Sequence, residues 1–275
     1  MEQLYHEQCI SCPLPTSPEE DLQREDEALS LMPILILPLR VHIIRSDTLG
    51  CSDALNHKSM RAIVETMNTY WRPQAGIEFK LILVREPRLS ECTTKINEEE
   101  IKTFITEKLQ RGRNGKMMHK PERRKYFLDI LLHSLDYLKS YNSDAYDIWF
   151  LDMVGMGSQG MCIDRRTRTV LMGERSTKGY DAPTARPHAC LAKTMAHELG
   201  HALRLNHPMG RCFEDGQSQI IHRMKKNLMQ GGADKNGGGG YFLEQWQICM
   251  GRDSAECYLK KFNTCSAVEK MQVLY

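Results

Sequence analysis

Residues 197–207 read HELGHALRLNH, and this stretch decides how the whole chain is interpreted. It contains the pattern H-E-x-x-H, made by His197, Glu198 and His201, and a further histidine, His207, follows six residues later. Residues four apart project from one face of a helix, so His197 and His201 can hold one cation while Glu198 lies beside it. Three histidines leave the fourth position of a tetrahedral zinc ion open for water, which is typical of a catalytic zinc site. The stretch therefore predicts a hydrolytic zinc centre in which Glu198 takes a proton from that water.

The residues around this pattern are those expected of a buried helix. Apolar side chains recur at helical spacing, at Leu191, Met195, Leu199, Ala202 and Leu203. The alternative interpretation is a helix whose histidines are solvated or lie in the core. Buried imidazoles need polar partners, so the apolar context favours the metal site over this alternative.

The pattern resembles the motif of the metzincin superfamily of zinc endopeptidases, which is H-E-x-x-H-x-x-G-x-x-H followed by a Met-turn. The resemblance implies one catalytic Zn²⁺ held by His197, His201 and His207. It also implies that Glu198 is the general base for peptide-bond hydrolysis. By the same resemblance Met229, 22 residues after His207, lies in a tight turn beneath the metal. The alternative for Met229 is one more apolar methionine in a chain that has 16 of them.

The chain departs from the metzincin motif at one position, where Arg204 replaces the glycine. There the helix ends and the chain turns to present His207, so we expect a left-handed backbone at Arg204, which costs a non-glycine residue about 1–2 kcal/mol. Zinc binding contributes about 10–16 kcal/mol in zinc-finger peptides, so this strain should not prevent metal binding. The backbone strain could still displace His207 slightly, and catalysis is sensitive to such shifts. The alternative function is therefore a catalytically weak, zinc-containing peptide-binding or toxin-like module.

The composition is that of an ordinary globular protein, with 26% charged and 41% hydrophobic residues in a chain of 275. This length allows one large domain or two lobes with a hydrophobic core. A net charge of +2 at pH 7 does not favour a nucleic-acid partner. The apolar run over residues 31–39 contains two prolines and is too short for a membrane span or a signal peptide. We therefore expect no nucleic acid and no membrane. The metzincin resemblance implies a protein or peptide substrate, and we expect a monomer.

The sequence predicts an N-terminal leader or pro-like segment over residues 1–37, which contain several prolines and an acidic run. The catalytic domain is predicted over 38–275. Its upper lobe spans 38–207 and its lower lobe 208–275. In metzincins an N-terminal Cys or Asp can occupy the open zinc position, and Cys12 resembles such a residue; the alternative is an ordinary free or disulfide-bonded cysteine. The resemblance favours a secreted or released protein, but no signal peptide is visible, and a cytoplasmic location is the alternative.

The order of the predicted elements is that of an α/β domain. The predicted elements are a strand from Leu39, a helix from Met60 to Trp71, strands over 77–84 and 146–151, two amphipathic helices within 97–141 and a C-terminal helix over 242–262. The metzincin resemblance implies a zincin fold, with a twisted mixed five-stranded sheet, a backing helix and an active-site helix. A smaller, irregular C-terminal lobe that ends in a helix should follow.

Residues 155–160 satisfy the pattern G-x-G-x-x-G, which predicts a dinucleotide site only when a helix follows it. Here residues 161–171 alternate as a hairpin with a turn near 164–167, so the dinucleotide interpretation fails. In metzincins the corresponding place holds an edge strand that pairs with extended substrate. The resemblance makes four residues candidates for substrate binding: Gly160, Met161, Cys162 and Ile163.

Overall fold

The computed structural model describes residues 33–47, 50–89, 144–152, 159–165, 168–176, 184–207, 226–230 and 240–272. The chain divides into two compact units, Met1–Pro33 and Ile34–Tyr275, and the helices and strands below all belong to the second. Cys12 and the predicted helices within 97–141 lie outside the described residues. The division into a leader and a two-lobed catalytic domain therefore stays a prediction.

The centre of the second unit is a mixed five-stranded sheet. Its strands are β1 (Leu35–Ile43), β2 (Ile77–Arg85), β3 (Tyr146–Leu151), β4 (Gly160–Asp164) and β5 (Thr169–Gly173). Their order is β2-β1-β3-β5-β4, in which the first four are parallel and β4 runs antiparallel to β5 at the edge. A short antiparallel pair, β6 (Arg175–Ser176) with β7 (Thr184–Ala185), lies outside this sheet. The predicted α/β class and mixed five-stranded sheet are confirmed.

Strand β1 begins at Leu35, four residues before the predicted start at Leu39 and inside the segment predicted to be a leader. It pairs with β2 from Leu35 onward but with β3 only from Leu39 onward. Pro38 therefore lies where β1 has a single neighbour among the described strands, and a proline, which has no N–H, is tolerated at such an edge. In the sequence alone this proline argues for irregular chain, so the strand start is predicted too late.

Helix α1 (His57–Ala75) packs against the sheet and begins with a capping box. The Asn56 side chain accepts hydrogen bonds from the N–H groups of Lys58 and Ser59, and the Ser59 hydroxyl accepts from the N–H of Asn56. The helix ends before Gly76, whose φ of 58° lies in the left-handed region. Its buried face consists of Met60, Ile63, Val64, Met67, Tyr70, Trp71 and Ala75.

Helix α2 (His188–Ala202) carries the first two histidines of the motif. The five apolar residues that predicted this helix are at most 2% exposed, so its buried face is confirmed. The indole N–H of Trp71 on α1 donates to the carbonyl oxygen of Ala196 over 3.2 Å and joins the two helices. Because α2 also packs on β4 and β5, the histidines lie close to the edge of the sheet.

Helix α3 (Gln245–Gln272) begins three residues later and ends ten residues later than predicted. Phe242, the predicted first residue, instead forms a β-bridge with Asn227. Its N–H donates to the carbonyl of Lys226, and its own carbonyl accepts from the N–H of Leu228. These bonds hold Phe242 in extended backbone, so the helix starts only after it. Among the described residues, no helix combines the length and the apolar character needed to cross a membrane.

Candidate metal centre and active site

Three histidine side chains converge at the C-terminal end of α2. The Nε2 atom of His207 lies 3.2 Å from Nε2 of His197 and 3.0 Å from Nε2 of His201. One ligand atom from each ring lies within 4.8 Å of the other two. Zinc–nitrogen bonds of 2.0–2.1 Å at tetrahedral angles separate two nitrogens by about 3.3 Å. The spacing of the three rings therefore fits a zinc ion.

The hydrogen bonds on the far side of two rings support the same assignment. Nδ1 of His197 lies 2.7 Å from the carbonyl oxygen of Leu228, and Nδ1 of His201 lies 2.8 Å from that of Leu205. A carbonyl oxygen only accepts, so each Nδ1 carries the proton and each Nε2 of a neutral ring presents a lone pair. Lone pairs that face one another at this distance repel unless a cation or a shared proton lies between them. The donor set therefore suits zinc, and zinc is the metal the ring nitrogens would hold.

The protonation of the two helical histidines also favours metal binding. Burial lowers the pKa of His197 to about 4 and that of His201 to about 4. Burial likewise lowers the pKa of His207. Neutral imidazole is the form that binds a metal ion, so all three rings are ready to bind at neutral pH.

The turn that presents the third histidine forms around Arg204, as predicted. Its φ is 70°, in the left-handed region. The N–H of Arg204 donates to the carbonyl of His201 over 3.0 Å, and the N–H of Leu205 donates to that of Gly200 over 2.9 Å. This pair of bonds is a Schellman motif, the usual way in which a glycine ends a helix. The motif also aims the Leu205 carbonyl at the ring of His201, so the left-handed residue supports the ligand geometry directly.

Replacement of Arg204 by glycine tests whether the arginine harms the site. We expect the stability gain to be at most about 1 kcal/mol, because the extra freedom of glycine in the unfolded chain offsets part of the relieved strain. Both Schellman bonds are already made, so peptide turnover should change less than about twofold. Thermal unfolding and turnover of zinc-loaded protein measure both quantities.

The matched control is Arg61→Gly, at an exposed position inside α1. This substitution should lower the free energy of unfolding by about 1 kcal/mol. A large gain of turnover in Arg204→Gly would show that arginine displaces His207. A large loss of turnover would show that the Arg204 side chain itself binds substrate or packs against the cleft.

Glu198 lies on the same helix, and its side chain is buried between α2 and β4. The residue is 7% exposed, and its Oε2 accepts a hydrogen bond of 2.8 Å from the N–H of Cys162. Burial raises the pKa of Glu198 to about 7, although the Cys162 N–H and the charge of Arg186 oppose this rise. A carboxyl group with a pKa near 7 can both accept and donate a proton at neutral pH, which suits a general base.

The four residues predicted to bind substrate form the beginning of β4, beside this carboxylate. Gly160, Met161, Cys162 and Ile163 are all half-buried. β4 is the last strand of the described sheet, and the edge strand of a sheet can pair with another extended chain. The predicted edge strand and the predicted base thus lie together. The hydrogen bond between Cys162 and Glu198 joins residues that are 36 positions apart in the chain.

Gly160 occupies the closest approach of β4 to the helix. A Cβ atom added there would lie 2.8 Å from Cγ of Glu198 and 3.0 Å from side-chain atoms of Thr194 and Met172. We expect Gly160→Ala to push the Glu198 carboxylate aside and to lower turnover by roughly tenfold to a hundredfold. Zinc content should stay near that of the parent, because no ligand is touched. Turnover and metal analysis on the same sample test this prediction.

Gly251→Ala is the matched control, since its added Cβ would meet only Trp71 and Ile77 at 3.8 and 3.9 Å. This variant should keep its turnover and fold at least as stably, because alanine is the better helix former. Equal turnover in Gly160→Ala and Gly251→Ala would contradict the proposed closeness of β4 and the base.

Sequence reasoning missed Arg186, which is only 8% exposed. Its Nη1 donates to the carbonyls of Gln159 and Gly173, and its Nη2 donates to the Gln159 side chain, the Cys190 carbonyl and the Thr194 hydroxyl. Burial lowers its pKa to about 10, so the guanidinium stays charged at neutral pH. Arg186 thereby ties the sheet edge to the helix that carries Glu198. No spacing in the sequence marks this residue, because its partners come from three separate segments.

Met229 lies in a turn directly beneath the histidine helix. Its N–H donates to the Asn227 side chain over 2.8 Å, and it is fully buried. A Cβ at Gly200 would come within 2.3 Å of its sulfur, so Met229 packs against α2 one residue before His201. The preceding residue, Leu228, supplies the carbonyl that holds His197. The assignment of this turn as the Met-turn stays a prediction and is part of the proposal below.

The edge strand β4, the buried Glu198 side chain and the three histidines lie together around α2. The family model of the reprolysin-like metallo-peptidases, family M12B, matches residues 57–208, more than half of the chain. This protein therefore belongs to the reprolysin-like M12B metallopeptidases, whose members use zinc and hydrolyse proteins or peptides. Its mixed sheet and helices are consistent with the metzincin-like fold of that family. A search of curated proteins finds no match.

Proposed function

We propose that this protein is a zinc-dependent endopeptidase in which His197, His201 and His207 bind the metal and Glu198 is the general base. The observation that carries the proposal is the position of the Glu198 carboxylate, buried on the triad helix and bonded to the edge strand through Cys162. Zinc in such a site supplies Lewis acidity, which polarises the scissile carbonyl and acidifies water. Family membership supports peptide-bond hydrolysis as the reaction.

Other residues of the chain would transfer protons, bind the substrate and support α2. Glu198 accepts the proton of the attacking water and returns it to the leaving amine, since its raised pKa suits both steps. Gly160, Met161, Cys162 and Ile163 bind the extended substrate along the outer edge of β4. Met229 supports α2 from below as the Met-turn.

The alternative is a zinc-containing peptide-binding or toxin-like module with weak catalysis. The observation in its favour is the left-handed backbone at Arg204, where the motif calls for glycine. The intact Schellman bonds at the same turn favour the enzyme, because they show that the ligand loop accommodates arginine without losing its hydrogen bonds.

Metal analysis combined with a cleavage assay separates these functions. Purified protein should carry about one zinc ion per chain and cleave casein and quenched fluorescent peptides. A chelator should stop cleavage, and added zinc should restore it. Bound zinc without turnover on any peptide would favour the binding module, and failure to bind zinc would reject both functions.

A further inference from the structure

Arg165 follows the last residue of β4 and is held beside the histidine triad. Its Nη2 lies 2.8 Å from the Asn206 side-chain oxygen and 3.4 Å from the carbonyl oxygen of Leu205. The same Leu205 carbonyl accepts the Nδ1 hydrogen bond of His201.

Two oxygen atoms hold this guanidinium through Nη2. Arg165 is exposed, and within the described part of the chain its Nε and Nη1 donate to no protein group and no carboxylate pairs with it. A guanidinium anchored through one nitrogen presents its other donors in a fixed plane. Both bidentate edges of a guanidinium include Nη2, so Nε and Nη1 can each donate a single charge-assisted hydrogen bond to a carboxylate oxygen. Less side-chain freedom is lost on binding because the group is already held.

The register along β4 sets where a bound peptide would meet Arg165. Cys162 lies at the catalytic carboxylate, and Arg165 is three residues farther along the chain. Three strand residues span about 10 Å, so the guanidinium faces a peptide residue a few positions from the reacting bond rather than the bond itself. A peptide that extends along β4 would pass Arg165 on one side of the scissile bond only.

We infer that Arg165 binds an acidic side chain of the substrate, two to four residues from the scissile bond and on one side of it. This inference rests on the proposed peptidase function. Arg165 is then a specificity-determining residue that selects Glu or Asp at one position of the peptide. A C-terminal carboxylate has the same chemistry, so the test distinguishes the two sources.

The experiment compares zinc-loaded wild-type protein with Arg165→Gln and Arg165→Glu. The probes are amidated, quenched fluorescent peptides that carry Glu, Gln or Lys at each of four positions on either side of the cleaved bond. Wild-type protein should prefer Glu over Gln at one position by roughly fivefold in kcat/KM, mainly through KM. Arg165→Gln should abolish this preference, and Arg165→Glu should transfer it to Lys. The control Arg61→Gln, an exposed arginine on α1, should keep it.

A binding measurement makes the result independent of turnover. The same peptides are titrated against zinc-loaded Glu198→Ala protein with and without Arg165→Gln, and the Glu-to-Gln ratio of Kd is compared by fluorescence anisotropy. If no peptide is cleaved but the ratio depends on Arg165, hydrolysis fails as the proposed function while the carboxylate site stands.

Three results would overturn the inference. The first is a Glu preference that is absent or that survives in Arg165→Gln. The second is a preference seen only with a free C-terminal carboxylate, which a matched series of non-amidated peptides reveals. The third is an equal loss for Glu and Gln peptides, which would mean that Arg165 acts on the reacting carbonyl or on the loop of His207.

Discussion

Glu198→Ala should lower kcat by roughly a hundredfold to ten-thousandfold while zinc content stays near that of the parent. The side chain is buried beside β4 and is not one of the three grouped metal ligands, so its loss removes proton transfer without removing a ligand. Glu198→Gln should be equally inactive. The amide oxygen of glutamine can still accept the hydrogen bond from the N–H of Cys162, yet the amide cannot take a proton from water.

Turnover and metal analysis on one preparation decide this prediction. Glu65→Ala, which removes an exposed glutamate from α1, is the control and should behave like the parent. Wild-type kcat in either Glu198 variant would refute the role of general base. Loss of zinc together with activity would instead make Glu198 part of the metal site.

His201→Ala should lose zinc and the stability that depends on it. Ligand binding to the folded state stabilises a protein by about 4 kcal/mol when the free ligand exceeds its dissociation constant a thousandfold. Without His201 the site keeps two imidazoles, and the Leu205 carbonyl loses its partner in the ring. We therefore expect the zinc-dependent rise of the thermal unfolding midpoint, present in the parent, to disappear in the variant.

The matched control is His188→Ala, which removes an exposed histidine from the first turn of the same helix. This protein should keep one zinc ion and the full zinc-dependent shift. A His201→Ala protein that binds zinc as tightly as the parent would show that the three rings do not form one metal site.

The parts of the site that could be predicted from sequence are those encoded in local spacing. Four residues along a helix bring His197 and His201 to one face, and this holds in any helix regardless of its surroundings. The left-handed turn at Arg204 was expected only from the metzincin resemblance, whose motif has glycine there, because arginine by itself does not mark a left-handed position. The strand over 146–151 was predicted with its observed bounds, since a buried parallel strand is a continuous apolar run.

Contacts between distant segments could not be predicted in this way. The Leu228 carbonyl that orients His197 comes from 31 residues away, and the Cys162 N–H reaches Glu198 from a different element. The role of Arg186 could be recognised only from the structure, because its hydrogen-bond partners lie beside β4, at the end of β5 and on α2. The predicted starts of β1 and α3 were wrong for a related reason. Pro38 lies in a strand because β1 has one neighbour there among the described strands, and Phe242 is extended because it pairs with Asn227.

The sequence by itself therefore determined the α/β class and predicted the metal ligands and the base that are proposed above, because helix and strand periodicity is a property of the local backbone. Only the tertiary structure decided which backbone groups orient His197 and His201, how deeply Glu198 is buried, and which groups hold the Arg165 side chain. These depend on the order of the strands and on the packing of α2 against the sheet edge. Residues far apart in the chain contact each other where α2 packs on the sheet, and such contacts cannot be predicted from local spacing.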